Sequence, residues 1–345
     1  MHYQYSYTTL LRERERESWV CLSMSGPKLE IVGHRGFKAK YPENTLLCYD
    51  KAYEAGSDVI ETDLQLTMDG KIVINHDVDT GRMWDQNLVI ADSNLEDLMV
   101  LRNKMDPAIS ITTFKEALQW LKEHPKMKFM LDIKPTNSKV ILVKTILEMR
   151  EVVDDLDYWR ERLIFGIWNV DWYKCGYITG TLKKFKIVAI LPFSKMASRF
   201  IEYSNSLNDS DYKLYGVSLN FLNSWKPGFK EHLLPYFKEN NLSVYLWTVN
   251  SELDIQHVIS SVPVYGIVVD DPINYVSIRD SYAKKSDPLA QPILNGAQRL
   301  KVYLRLQLFE LFEIIFSSKY ATVPIVRGIT LIQLTVILLR RLHCL

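Results

Sequence analysis

From Leu29 to about residue 275 the chain alternates short β-rich runs with longer helical stretches, and this pattern limits its fold most tightly. The runs are Ile31–His34, Asp58–Leu66, Lys128–Lys134, Leu163–Trp168, Lys186–Leu191, Leu214–Asn220, Ser243–Val249 and Tyr265–Asp270. Helical stretches lie between most of them, among them Thr45–Glu54, Thr113–His124, Lys139–Met149 and Ile201–Ser206. Such alternation implies parallel strands with helical crossovers, and eight units over about 250 residues match a TIM (β/α)8 barrel in count and length. A doubly wound open sheet competes, but no G-x-G-x-x-G follows the first run. Lys71–Asn75 follows an Asp69-Gly70 turn directly after the second run, which predicts a hairpin. It would be an antiparallel ninth strand beside the barrel mouth, returning His76-Asp77 to that face. Residues 79–110 read as an irregular loop with one short helix, covering the mouth.

The barrel domain is assigned to residues 29–278. Residues 1–28 differ from it: they are polar, carry the alternating Arg12–Glu17 run in place of an apolar signal core, and are expected to be a disordered extension. Met24, just before Ser25-Gly26-Pro27, offers a second place for translation to begin. Residues 279–298 read as a linker and 299–345 as a membrane-attachment tail. Within the tail, Val302–Phe316 is apolar but carries Arg305, Gln307, Glu310 and Glu313, the pattern of an amphipathic helix. Tyr320–Leu339 is interrupted by Pro324 and Arg327, and its charge-free part, Gly328–Leu339, is twelve residues long. Spanning a bilayer takes roughly 20 apolar residues, and an arginine at its centre costs about 2.5–3.5 kcal/mol on insertion scales. The expectation is therefore a tail embedded in one leaflet, as a helical hairpin or a surface helix. The competing reading is a C-terminal helix packed on the barrel.

Composition narrows the function. A formal charge of +1 gives no field that would gather nucleic acid. Four cysteines without C-x-x-C spacing argue against a zinc cage or a disulfide framework and for a reducing compartment.

The ends of the predicted strands carry the chemistry. The first ends in His34-Arg35. The second holds Glu61 and Asp63, two apart and so on one side of the sheet, where two carboxylates repel unless a cation lies between them. The third ends in Asp132 and Lys134, again two apart. Ionisable residues at several C-terminal strand ends are what an active site on a barrel looks like. Glu61, Asp63 and Asp132 can supply oxygen ligands to a hard divalent cation. Arg35 and Lys134 can neutralise a phosphate. His34 and His76 can serve as general base and general acid. Each group has a plainer alternative: a structural ion pair for Asp132 and Lys134, neighbouring basic groups for Glu61 and Asp63, a loop cap for His76-Asp77.

Gly33-His34-Arg35-Gly36, Pro42-Glu43-Asn44-Thr45, Glu61-Thr62-Asp63, Asp69-Gly70, His76-Asp77 and Asp132-Ile133-Lys134, in this order, resemble the glycerophosphodiester phosphodiesterase family over residues 29 to about 275. Trp247-Thr248-Val249-Asn250 and Asp270-Asp271-Pro272 are similar to its closing motifs. The resemblance implies a TIM barrel, Mg2+ or Ca2+ on Glu61, Asp63 and Asp132, His34 and His76 as the acid/base pair, and Arg35 and Lys134 on the phosphate. Trp247 is then expected to wall the glycerol side of the pocket, and Glu43 to partner Arg35 or the metal from behind. Two departures stand out. Asp132 replaces the family's common Glu and is one methylene shorter. Asp79-Thr80-Gly81-Arg82-Met83-Trp84 stands where Arg-Thr-Thr usually follows the His-Asp pair.

Read with the tail, the chain is similar to the membrane-attached phosphatidylglycerol phospholipases C of this family. That implies cleavage of phosphatidylglycerol to diacylglycerol and glycerol phosphate. The implied partners are a phospholipid substrate and a membrane or lipid-droplet surface, on the cytoplasmic face of the endoplasmic reticulum, a lipid droplet or the mitochondrial outer membrane. No protein partner is implied. Two alternatives are a phosphodiesterase for soluble deacylated headgroups and a non-catalytic membrane-bound lipid-binding protein.

Overall fold

All eight β-rich runs form strands, and the hairpin adds a ninth. They are β1 (Glu30–His34), β2 (Val59–Leu66), β3 (Ile72–Ile74), β4 (Phe129–Ile133), β5 (Leu163–Ile167), β6 (Lys186–Leu191), β7 (Leu214–Asn220), β8 (Ser243–Trp247) and β9 (Gly266–Val269). The structure is a computed structural model that describes residues 29–283, 294–317, 324–326 and 329–330. Parallel pairing runs β1-β2-β4-β5-β6-β7-β8-β9, and β1 also pairs with β9, which closes the barrel. β3 lies antiparallel on β2, with Leu64 opposite Ile74, as the Asp-Gly turn requires.

The helices are α1 (Leu46–Glu54), α2 (Leu95–Met99), α3 (Phe114–Glu123), α4 (Val140–Val152), α5 (Leu156–Arg160), α6 (Val170–Ile178), α7 (Ala197–Ser206), α8 (Leu234–Glu239), α9 (Glu252–Ser261), α10 (Pro272–Ala283) and α11 (Gly296–Ser317). Their starts are written in the sequence. Thr45 caps α1 by accepting from the Cys48 amide, and Thr113 and Glu116 form a reciprocal capping box on α3. The loop over the mouth holds a 3-10 turn at Ile90–Asp92 besides α2, one element more than expected. It has its own small core of Val73, Trp84, Ile90, Leu98, Leu101 and Ile111, so it is a built cover.

The barrel interior changes character along its axis. Val32, Val59, Met130, Ile164, Val188, Tyr245 and Val268 fill its lower part. Two residues further along four of these strands, on the same inward face, stand His34, Glu61, Asp132 and Trp247. Apolar filling thus supports an ionisable layer at the C-terminal ends.

The amphipathic helix expected over 302–316 forms as the longer α11, but its docking corrects the reading of its charges. Val302, Arg305, Phe309 and Phe312 are all buried. Arg305 and Glu313, expected on the polar face, face the barrel because each meets an opposite charge there. Arg305 donates to both oxygens of Asp254 at 3.2–3.3 Å, and Glu313 accepts from Lys226 at 2.6 Å. Phe193 packs against Phe309 and Phe312 with ring centres 5.1 and 5.4 Å apart. Phe193, Lys226 and Asp254 follow β6, β7 and β8, so α11 lies along the rim of the mouth. Pro324–Val326 and Ile329–Thr330 pair as short antiparallel strands, within the tail expected to be a helical hairpin or a surface helix. The N-terminal extension 1–28, residues 284–293 of the linker and the remainder of the tail beyond Ser317 lie outside the described residues. Among the described residues no helix is long and apolar enough to cross a membrane.

Replacing Phe309, fully buried, by Ala is expected to cost about 3–5 kcal/mol in urea unfolding. Leu311→Ala, on the outward side of the same helix, should stay within about 0.5 kcal/mol.

Candidate active site

Strand register assembles the site. His34 of β1 sits beside Glu61 of β2, and Asp63 sits beside Asp132 of β4. Glu61, Asp63 and Asp132 are buried, and one oxygen from each lies within 4.8 Å of the other two. Lys134 enters this group, donating to Asp132 at 2.8 Å and also to Asp63. It is thus placed among the carboxylates, whereas the resemblance puts it on the phosphate. Three further oxygens of the group are held as well. Asn44 donates to Asp63 at 2.8 Å, Trp168 to Asp132 at 2.6 Å, and the Arg35 amide to Glu61 at 3.0 Å.

Three carboxylates in so dry a place cannot all ionise freely. Burial, then repulsion from Asp63 and Asp132, drives Glu61 well above the usual carboxylate range. Asp63 goes the other way: burial opposes its charge, but Lys134, His76 and Arg35 outweigh that. Burial likewise works against Lys134, and Asp132, Asp63 and Glu61 overcome it, so its ammonium is held more firmly than usual. The donor set is all hard oxygen and short of positive charge, so it fits a divalent cation, which would relieve the repulsion that raises Glu61.

Around this centre stand the groups that handle protons and phosphate. His34 Nδ1 meets Asp270 Oδ1 at 2.7 Å, leaving Nε2 on the Glu61 side, 3.9 Å from Oε2. Burial, helped by Lys38 and Arg35, lowers His34 to about 3, so its imidazole is neutral at physiological pH. His76 follows β3, as the hairpin reading required, and its Nδ1 meets Asp77 Oδ1 at 2.8 Å. Burial lowers His76 too, against the pull of Asp63 and Asp77. The Arg35 guanidinium donates to Glu43 at 2.9 Å and keeps a buried Nε without a hydrogen-bond partner, 3.4 Å from Asp63. Trp247, at the end of β8, donates to the Ser218 carbonyl at 3.0 Å and lies 6.1 Å from the Trp168 ring, so the two indoles form one wall.

All nine residues singled out in the sequence therefore lie at or around this mouth. Sequence reasoning gave no role to Asp270, Lys38, Asn44, Trp168 or Arg82. Asp270 and Asn44 stood inside quoted motifs, and that was their only signal. Arg35 and Asn44 have φ of 56° and 59° and Gly36 has φ of 90°, so the turn after β1 is left-handed at three places. A Cβ on Gly36 would meet the Cys48 carbonyl oxygen at 2.8 Å, which explains why only glycine fits there.

Oxygen ligands for a cation, a guanidinium with a spare donor and two histidines at one barrel mouth define a hydrolase for an anionic ester. Comparison with known proteins makes the class specific. The glycerophosphoryl diester phosphodiesterase family profile matches residues 34–274, and the chain belongs to that family. It is a phosphoric diester hydrolase. Among its relatives are a glycerophosphodiester phosphodiesterase of Caldanaerobacter subterraneus, 24% identical over 73% of this chain and 98% of the relative, and a Homo sapiens lysophospholipase D, 24% identical over 77% and 88%. The barrel also superposes on an Oleispira antarctica phosphodiesterase in complex with sn-glycerol-3-phosphate, with TM-score 0.58, 20% identity, and 73% and 96% coverage.

Because burial and repulsion raise Glu61 toward its protonated form, Mg2+ or Ca2+ binding should be accompanied by proton release, and affinity should rise as pH rises. Calorimetric titration in buffers of different ionisation enthalpy measures that release. Glu61→Gln should abolish it, and pH-independent affinity in the native protein would contradict it.

Proposed function

We propose that this protein cleaves phosphatidylglycerol at a membrane surface, as a phospholipase C, giving diacylglycerol and glycerol phosphate. The observation that carries the lipid reading is the docking of α11 on the mouth rim with an apolar stripe turned outward. Leu300, Leu304, Leu311 and Ile314 on that stripe are each more than half exposed, and the chain continues into the apolar tail. Such a stripe suits burial in the interfacial region of a leaflet, with the mouth facing the lipid headgroups. The cytoplasmic face of the endoplasmic reticulum, a lipid droplet or the mitochondrial outer membrane is the surface we propose.

Glu61, Asp63 and Asp132 would hold Mg2+ or Ca2+, which when bound draws negative charge from the phosphodiester. Arg35 offers its spare Nε to a phosphate oxygen, with Glu43 fixing the guanidinium from behind. Lys134, just after β4, keeps the carboxylates neutralised. One histidine takes the proton of the glycerol 2-hydroxyl, and the resulting alkoxide attacks phosphorus to form a cyclic phosphate. The other histidine gives a proton to the departing diacylglycerol oxygen. Water then opens the ring with the proton roles reversed, yielding glycerol phosphate. His34 is assigned the first of these tasks, since its Asp270 contact stabilises the imidazolium that forms. An intramolecular attack needs no second reactant to be captured, a large entropic advantage. Trp247 and Trp168 wall the glycerol side.

The Caldanaerobacter glycerophosphodiester phosphodiesterase supports a second reading, hydrolysis of soluble deacylated headgroups at the same centre. Turnover of phosphatidylglycerol vesicles against glycerophosphoglycerol separates the two. The lipid reading expects vesicles to be the better substrate. It also expects Leu304→Glu with Leu311→Glu to lower vesicle turnover severalfold while sparing the soluble diester; equal turnover in both assays would overturn it.

His34→Ala and His76→Ala should each lose at least about a hundredfold in kcat with folding intact, the usual weight of a general acid or base. Phosphatidylglycerol lacking the headgroup 2-hydroxyl should not be cleaved by this route. Undiminished cleavage would contradict the cyclic step.

A further inference from the structure

Arg82 lies in the cover, six residues after His76, and nothing in the chemistry above employs it. Its side chain is nearly half exposed, yet its guanidinium joins two arms of the site. Arg82 Nε donates to Asp77 Oδ2 at 2.5 Å, and the other oxygen of Asp77 meets His76 Nδ1 at 2.8 Å. Arg82 Nη2 donates to Glu43 Oε1 at 2.6 Å, and the same oxygen accepts from Arg35 Nη1 at 2.9 Å. One unbroken chain of contacts therefore runs from His76, through Asp77, Arg82 and Glu43, to Arg35. His76 and Asp77 come from the β3 hairpin, whereas Arg35 and Glu43 come from the turn after β1. No other hydrogen bond or ion pair among the described residues joins the Asp77 carboxylate to Glu43.

We propose that Arg82 is a positioning residue that sets the distance and orientation of His76 relative to Arg35. Asp77 can present its oxygen to His76 Nδ1 in a fixed direction only if its second oxygen is held. That fixes the ring so that Nε2 faces the substrate. Glu43 needs the same restraint to hold Arg35 against the phosphate. A planar guanidinium with donors on two sides meets both needs, and the single ammonium of a lysine does not. The cover carries Arg82 and has its own core, with Trp84 donating to Asn75 at 3.0 Å just before His76.

This inference rests on the acid/base role of His76, and the test separates the two. Steady-state hydrolysis is measured on the full chain with phosphatidylglycerol vesicles and with glycerophosphoglycerol, beside thermal unfolding. His76→Ala tests the underlying role: retained turnover there would remove the basis for any role of Arg82. With that role intact, Arg82→Ala should lower kcat about ten- to a hundredfold, as expected when a reacting group is misplaced by about 1 Å. Its unfolding midpoint should hardly move, because exposed ion pairs contribute little to stability. Millimolar guanidinium should restore kcat in Arg82→Ala and leave the native protein unchanged. Arg82→Lys keeps the charge and should still lose most of the kcat. Asp77→Asn should lower kcat, Glu43→Gln should chiefly raise KM, and Arg82→Ala on Asp77→Asn should add little further loss in kcat. Unchanged kcat in Arg82→Ala, full activity in Arg82→Lys, or a loss that follows the unfolding midpoint without guanidinium rescue would each overturn the proposal.

Discussion

Like-charge repulsion inside the barrel is the constraint from which the rest of the site follows. Glu61, Asp63 and Asp132 lie close together in a buried layer where water cannot screen them. Register forces this: β2 and β4 put Asp63 beside Asp132, and the pleat puts Glu61 on the same side as Asp63. Lys134, Arg35, Asn44 and Trp168 each supply donors to these oxygens, and Glu61 is still raised well above the usual carboxylate range. A site so built suits a divalent cation and an anion together, because each makes room for the other's charge.

The histidines are placed by longer reach. His34 meets Asp270, the residue after β9, and so joins the first and last strands of the barrel. His76 arrives on a hairpin outside the barrel, tied through Asp77 and Arg82 to the turn after β1. Neither is held by its own strand alone. The same logic governs α11, which uses Arg305 and Glu313 as ionic anchors and three phenylalanines as packing, and so belongs to the rim of the mouth. The family match over residues 34–274 accounts for the barrel and its chemistry; α11 lies beyond it.

What could be read in the sequence depended on the range of the interaction. The strands were legible because β-branched and apolar runs recur between turn residues, and the hairpin because Asp69-Gly70 leaves few other conformations. The pairing of Glu61 with Asp63 was legible from a spacing of two. Lys134 was legible as a site residue but not in its contacts, because a flexible four-carbon chain can turn toward the carboxylates or away from them. Asp270 stood in a motif that says nothing of His34, and nothing local ties Arg82 to Glu43, since these partners lie 236 and 39 residues away along the chain. Arg305 misled for a physical reason: an arginine in an apolar helix reads as solvent-facing, and only Asp254 across the interface makes its burial tolerable.

The central claim is that the strand-end carboxylates make a cation-dependent centre for phosphodiester cleavage. Glycerol phosphate release from phosphatidylglycerol vesicles, followed with Mg2+ or Ca2+ and then with excess chelator, tests it most directly. The account predicts release that stops with chelator, returns when the cation is restored, and is absent in a folded Asp63→Asn variant. Release that continues undiminished in chelator, or in Asp63→Asn, would contradict it.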